Sequence, residues 1–200
     1  MFAAEATGPI KTKLHPRLST SAKWIWSTYL VLTIACILSY YVAGMGLFDS
    51  FNYAMTTTAT GGFSTHNTST EFFHSPSLEY ICTFFCFLSG VNFTLLYAAV
   101  IKFKIKELFR NSEFRFYIFL VTIFSIFIMV ELMVMRNYDI EHAFRSAIFQ
   151  VVSFITTTGL FNDDAALWPH VTWVVLSMCM FIGACSGSTS GGLKCIRGVI

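Results

Sequence analysis

Residues 56–65 read TTTATGGFST and interrupt an otherwise apolar chain with hydroxyl groups and two adjacent glycines. They follow Leu47–Met55, a mostly apolar segment that is too short to cross a bilayer. Glycine adopts backbone angles that other residues avoid, so such a loop can align carbonyl and hydroxyl oxygens in place of the hydration shell of a cation. Taken alone, the composition also fits a solvent-exposed turn between two helices.

A second copy of this loop favours the ion-binding interpretation. Residues 155–161 read ITTTGLF, and an offset of 98 places Gly159 on Gly61 and Thr156 on Thr58. Downstream the offset falls by five, and then a spacing of fourteen residues leads from proline to glycine in both copies (Pro76 to Gly90, Pro169 to Gly183). An internal repeat of this length defines the architecture. The predicted unit is a helix, a short helix, a loop and a helix, and it occurs twice.

The composition predicts an integral membrane protein built from α-helices. Of the 200 residues, 55% are hydrophobic and only 12% are charged, whereas soluble domains have about 25% charged residues. Residues 25–42 and 80–101 contain no charged side chain, and Glu131 alone interrupts 116–135. Because about 20 apolar residues span a bilayer, these three runs are candidate spans. We expect Glu131, near one end of its run, to lie at the outer surface.

The basic residues predict the orientation. Four precede the first span and five follow the second (Lys11, Lys13, Arg17, Lys23; Lys102, Lys104, Lys106, Arg110, Arg115). Basic loops stay cytoplasmic, so the threonine loop lies on the outer side, with most acidic residues, including Glu79. The predicted units are a cytoplasmic connector at 1–22, a repeat at 23–104, a basic connector at 105–115 and a repeat at 116–200.

The last helix is predicted to break within the membrane. The apolar run 171–182 precedes residues 183–194, GACSGSTSGGLK, which we call the glycine-serine loop. Twelve helical residues rise about 18 Å, short of the roughly 30 Å hydrocarbon core, and irregular backbone persists there only when it is buried in protein or lines a cavity. We therefore predict a gate across a pore, with these residues: Gly183, Gly187, Ser188, Thr189, Gly191, Gly192 and Lys194.

Two other interpretations of this loop are weaker. Glycines spaced four apart also occur in helix-packing motifs, which would not need the additional serines. A phosphate-binding P-loop is excluded because Cys195, not Ser or Thr, follows Lys194. No partner for Lys194 is evident in the sequence. Asn92, within the second predicted span, is expected to contact another helix or to line a pore.

Several motifs together resemble the membrane subunit of the Trk/Ktr/HKT potassium transporters, in particular its bacterial TrkH branch. They lie at residues 5–9 (EATGP), 14–17 (LHPR), 59–65 (ATGGFST), 156–159 (TTTG), 168–169 (WP) and 183–197. Leu160, Ala184 and Ser186 depart from the family pattern, which bears on ion preference and gating rather than on membership.

The resemblance implies potassium uptake across the bacterial inner membrane through four pore-loop repeats, of which this chain carries the second and most of the third. Each repeat would supply one filter glycine, here Gly61 and Gly159. The implied ion-binding residues are Ala59, Thr60, Gly61, Gly62, Thr157, Thr158, Gly159 and Leu160. It further implies K⁺ as the transported ion, no organic cofactor, a homodimer in the lipid bilayer, a TrkA-like cytoplasmic nucleotide-binding partner and no nucleic acid. With two of four filter segments, these residues alone should not form a selective pore.

Two other functions compete with ion transport as interpretations of this sequence. An intramembrane serine hydrolase using Ser186 or Ser188 needs a base within hydrogen-bond reach, and all five histidines fall outside the predicted spans. A non-conducting homologue that binds a partner stays open, as do K⁺ against Na⁺ preference and channel against proton-coupled transport.

Overall fold

The computed structural model describes residues 18–100, 105–163 and 167–195, and all regular secondary structure within these ranges is helical. The connector before residue 18, Lys102, Lys104 and Arg197 lie outside the described residues.

The first unit begins with α1 (Leu18–Val42) and the short helix α2 (Leu47–Thr58). After the threonine loop come a 3₁₀ turn (Ser69–Phe73), α3 (Pro76–Ser89) and α4 (Phe93–Val100). The bounds of α2 extend three residues beyond the predicted end at Met55. This extension brings the end of the helix directly to the loop.

The second unit repeats the order of the first. A short connecting helix, α5 (Ile105–Arg110), precedes the long helix α6 (Ser112–Arg136) and the short helix α7 (Ile140–Ile155). Asn111 starts α6, where its side chain accepts a hydrogen bond from Phe114 N. The last helix, α8 (His170–Ile182), ends at Gly183, as its short apolar run predicts.

Among the residues that the structure describes, two helices are long and apolar enough to cross a membrane, within α1 (Ala22–Val42) and α6. The second predicted span is not one straight segment, because it is interrupted between Ser89 and Phe93, where α3 and α4 meet at an angle of 107°. Asn92, expected to contact another helix or to line a pore, bonds the helix that follows it. Its Oδ1 accepts a hydrogen bond from Thr94 N at 2.8 Å and so caps α4.

The two units pack alike and against each other. In each unit the long first helix packs on the short helix, α1 on α2 and α6 on α7. Between the units, α3 of the first packs on α7 of the second. Gly90 lies where they meet, because a Cβ there would be 2.6 Å from Tyr117 Oη and 2.7 Å from Thr156 Cγ2. A side chain at this crossing would force its neighbours to shift.

All six cysteines are free and buried, which suits small core side chains. Glu131 is half-buried and accepts a hydrogen bond from Thr172 Oγ1 at 2.8 Å, so it joins α6 to α8 rather than being a purely surface residue.

Candidate functional site

The first loop begins where the hydrogen bonds of α2 end. Ala59 N still donates to Met55 O, and Gly61 N closes a wider turn on Thr56 O at 2.8 Å. Thr60 then adopts the left-handed conformation with φ 53°, and Gly62 follows with φ 73°. Gly61, between them, does not have a positive φ, so the left-handed conformation occurs at every second residue from 60 to 62.

The second loop follows the same path. Thr156 N donates to Val152 O, and Thr158 N closes on Ser153 O at 2.8 Å. Thr157 is left-handed at φ 55°, and Gly159 at φ 82°. Each hydrogen bond and each left-handed residue of the first loop thus has a counterpart in the second.

These counterparts are related by an offset of 97, so the predicted alignment of Gly159 on Gly61 is wrong by one residue. The geometry pairs Gly159 with Gly62, and Thr157 with Thr60. Two adjacent glycines made either alignment acceptable in the sequence, whereas the turn that closes α2 or α7 determines which residue turns left-handed. Gly62 and Gly159 are therefore the equivalent glycines.

This backbone suits a cation. Left-handed residues turn the backbone of each loop out of the helical path, and backbone carbonyl oxygens in such loops are the groups that replace the hydration shell of a cation in ion filters. Both loops also follow the carboxyl end of a short helix, where unpaired carbonyls carry a partial negative charge.

Side chains of the short helices brace both loops at matching positions. Thr56 Oγ1 accepts a hydrogen bond from Phe63 N at 2.7 Å, and Ser153 Oγ donates to Leu160 O at 2.6 Å. One helical turn earlier, the phenol of Tyr53 bonds the segment beyond the loop at Ser69 O, 2.8 Å away. The Leu160 carbonyl, a predicted ion ligand, is thus engaged by α7.

The two loops approach each other closely. A Cβ added to Gly62 would overlap the carbonyl oxygen of Thr158. The predicted ion-binding residues of both repeats therefore come together, although 97 residues separate their equivalent positions.

The glycine-serine loop lies against the break between α3 and α4. Cys185 N donates to Gly90 O at 3.0 Å, and Phe93 N donates to Gly187 O at 3.1 Å. A Cβ at Gly187 would be 3.1 Å from Asn92 Nδ2. The loop therefore satisfies backbone groups that the broken helix leaves free, which answers the requirement for irregular backbone at membrane depth.

The same loop also contacts both threonine loops. Thr189 Oγ1 lies 3.0 Å from Thr58 O, and Thr60 Oγ1 donates to Thr189 O at 3.0 Å. Gly191 N donates to Thr157 Oγ1 at 2.7 Å. Of the predicted gate residues, Thr189 and Gly191 make these contacts.

Two charged side chains form hydrogen bonds with the glycine-serine loop, one from α6 and one from within the loop. Glu113, in the first turn of α6, is only 6% exposed and accepts hydrogen bonds from Ser186 N and, at 2.9 Å, from Ser186 Oγ. Lys194 Nζ donates to Ser190 O, so Lys194 does have a partner within the chain. Glu113 lies in the predicted basic connector at 105–115, and no pattern in the sequence indicates this contact.

A buried polar network lies behind the second loop. Glu79, expected among solvated outer residues, is buried. Its Oε2 lies 3.2 Å from Arg145 Nε and accepts a hydrogen bond from Asn162 Nδ2. The expectation failed because Arg145 lies on α7, which packs on α3, and places its charge within reach of Glu79.

The serines of the glycine-serine loop are not arranged for nucleophilic catalysis. Ser186 Oγ donates to Glu113, and Ser188 Oγ donates to Cys185 O at 2.6 Å. In the part of the chain that the structure describes, no histidine is recorded as a partner of either hydroxyl, so the base that a serine nucleophile needs is not supplied there.

Comparison with known proteins gives the same architecture. A family model described as "Cation transport protein", TrkH, matches residues 4–200. The Trk system potassium uptake protein TrkH of Salmonella typhimurium is 39% identical over 98% of this chain and 41% of its own length. TrkG of Escherichia coli is 38% identical over the whole of this chain and 41% of its own length.

A solved structure agrees in fold. The crystal structure of the potassium transporter TrkH from Vibrio parahaemolyticus matches with a TM-score of 0.87 and 38% identity, over 93% of this chain and 40% of that one. The predicted all-α membrane fold and the predicted family are confirmed. The chain spans about two fifths of the length of these relatives. It belongs to the TrkH family of cation transport proteins.

Proposed function

We propose that these residues form two of the four repeats of a potassium-conducting pore, in a longer chain that takes up K⁺ across the bacterial inner membrane. The observation that carries this proposal is the shared backbone of the two loops, with a left-handed threonine and a left-handed glycine at the same positions. The relatives named for potassium uptake support the choice of ion. Catalysis has no part in this function.

The corrected offset refines the proposed ion ligands. They are the carbonyl oxygens of residues 60–62 in the first loop and 157–159 in the second, with Gly62 and Gly159 as the filter glycines. Ala59 and Leu160 flank them, since Ala59 caps α2 and the Leu160 carbonyl is engaged by Ser153. The glycine-serine loop, which contacts both filter strands, is the proposed gate.

The proposed assembly follows the family resemblance. The complete chain would be a homodimer in the bilayer, regulated by a TrkA-like cytoplasmic nucleotide-binding subunit. The two candidate spans and the bent pair of helices are compatible with the membrane location. The proposed repeats at 23–104 and 116–200 each contain most of the long helix that opens their unit, α1 from Leu18 and α6 from Ser112.

Flux measurements in liposomes test the proposal. The complete chain is reconstituted, and ⁸⁶Rb⁺ or K⁺ uptake is compared with Na⁺ uptake for the wild type and for Gly62→Asp, which places a side chain against Thr158. We expect K⁺ flux that exceeds Na⁺ flux and that Gly62→Asp abolishes. A folded wild-type protein without ion flux would instead favour the partner-binding homologue, and flux unaffected by the substitution would refute the filter assignment.

A further inference from the structure

The glycine-serine loop directs hydrogen-bond donors at oxygens of the filter strands. Gly191 N–H points at Thr157 Oγ1 over 2.7 Å, and the hydroxyl of Thr189 lies 3.0 Å from Thr58 O and 3.2 Å from Ser89 O. Thr58 ends α2, so its carbonyl is among those that the helix leaves without an internal partner. Both acceptors carry lone pairs that a cation would also use.

The contact is specific to the equivalent threonines of the two repeats. Thr60 and Thr157 are the left-handed residues related by the offset of 97, and each hydroxyl bonds the same short segment, residues 189–191. Thr60 Oγ1 lies 2.7 Å from Ala59 O and 3.0 Å from Thr189 O, so its proton is shared between the filter strand and the loop. A passive plug would need no such pairing.

We propose that the closed glycine-serine loop occupies the ligands of an innermost potassium site, so that K⁺ and the loop compete for the same oxygens. The N–H of Gly191 and the O–H of Thr189 stand in for the positive charge of the ion. Release of the loop frees Thr157 Oγ1 and Thr58 O for K⁺, and K⁺ bound there opposes closure. This inference rests on the proposed potassium pore and adds an inner site and a cause of gating by the transported ion.

The proposal makes loop position depend on K⁺ at equilibrium, because an ion that binds only the open state shifts the population towards it. Loop position can be measured without flux, as the distance between nitroxide labels at Leu193→Cys and Val42→Cys in the complete chain. Both positions are exposed, and the six cysteines of these 200 residues are buried. K⁺ would be titrated against N-methylglucamine at constant ionic strength.

We expect K⁺ to release the loop in the wild type. Gly191→Ala should lower the K⁺ midpoint about fivefold, the equivalent of one net hydrogen bond, because its Cβ would lie 3.0 Å from Thr157 Oγ1 and weaken the closed contact. Thr157→Val should abolish the K⁺ response, whereas Thr157→Ser, which keeps the hydroxyl, should retain it. Thr156→Val is the matched control, since the Thr156 hydroxyl bonds Val152 O and Thr158 rather than the loop.

Either of two results would overturn the proposal: a wild-type loop that does not respond to K⁺, or a Thr157→Val variant that responds like the wild type. Flux in the same preparation distinguishes a failure of the competition from a failure of the potassium pore. K⁺ flux with a K⁺-insensitive loop refutes only the competition, whereas absence of K⁺ flux refutes the potassium pore itself.

Discussion

The Cα of Gly62 faces the carbonyl oxygen of Thr158 so closely that any Cβ would overlap it. Its φ of 73° adds a second constraint, since the left-handed conformation costs other residues roughly 1–2 kcal/mol. Neighbouring Gly61 is different, because a Cβ there would meet Phe63 and Thr56 Oγ1 at 3.4 Å, an ordinary contact. The two glycines are thus adjacent in sequence but not equivalent in structure.

We therefore expect Gly62→Ala to lower K⁺ flux by roughly tenfold or more, the equivalent of its backbone strain. Gly61→Ala, the matched control, should stay within about twofold of the wild type, as for a substitution away from special backbone. Flux is measured in liposomes at equal protein content. A larger loss of K⁺ flux in Gly61→Ala than in Gly62→Ala would instead support the offset of 98, with Gly61 as the filter glycine.

A second prediction concerns Gly90, at the contact between the two repeats. Gly90→Ala brings a Cβ to 2.6 Å from Tyr117 Oη and 2.7 Å from Thr156 Cγ2, and overpacking of this kind costs about 1–3 kcal/mol. We expect a lower midpoint of thermal unfolding in detergent. Gly46→Ala is the control, because Gly46 also flanks a helix but its Cβ would meet nothing closer than 4.0 Å. Equal midpoints for the two variants would contradict the tight crossing.

Glu113 and Ser186 give a third prediction. Glu113→Ala leaves the N–H and O–H of the half-buried Ser186 without their acceptor, a cost of about 1–3 kcal/mol that falls on the closed loop. We expect higher K⁺ flux under conditions in which the wild type is closed, and a smaller rise for Ser186→Ala, which loses only the hydroxyl bond.

The double variant tests whether these two residues act through each other. If they do, Ser186→Ala has little further effect in the Glu113→Ala background, as for residues that share an interaction. Additive effects would mean that Glu113 acts on the pore by another route, and the loop would then need a different anchor.

The sequence predicted those features that depend on local composition. Threonine and glycine identified both loops, and the proline-to-glycine spacing located the ends of α3 and α8 at Gly90 and Gly183. It could not choose between Gly61 and Gly62, because the closing hydrogen bond on Thr56, rather than residue type, decides which one turns left-handed.

The sequence did not predict contacts between residues that lie far apart along the chain. Glu113 meets Ser186 across 73 residues, and Glu79 meets Asn162 across 83. Each glutamate lies near the start of a helix, where acidic residues are common for reasons of the helix dipole alone. Their burial follows from the packing of the two repeats, which a single sequence does not specify.

The last prediction concerns the pair formed by Glu79 and Arg145, which are 9% and 11% exposed. Removing one partner leaves the other charge buried without compensation, which typically costs 3–5 kcal/mol, whereas replacing both is often close to neutral. We expect Arg145→Met to lower the midpoint of thermal unfolding strongly, and Glu79→Gln with Arg145→Met to recover much of the loss. Glu141→Gln is the control. The exposed Glu141 pairs with Arg145 Nη1 at 3.0 Å, and exposed ion pairs of this kind contribute only about 0–1 kcal/mol. A double variant no more stable than Arg145→Met would show that the network braces the second loop through Asn162 rather than through the charge pair.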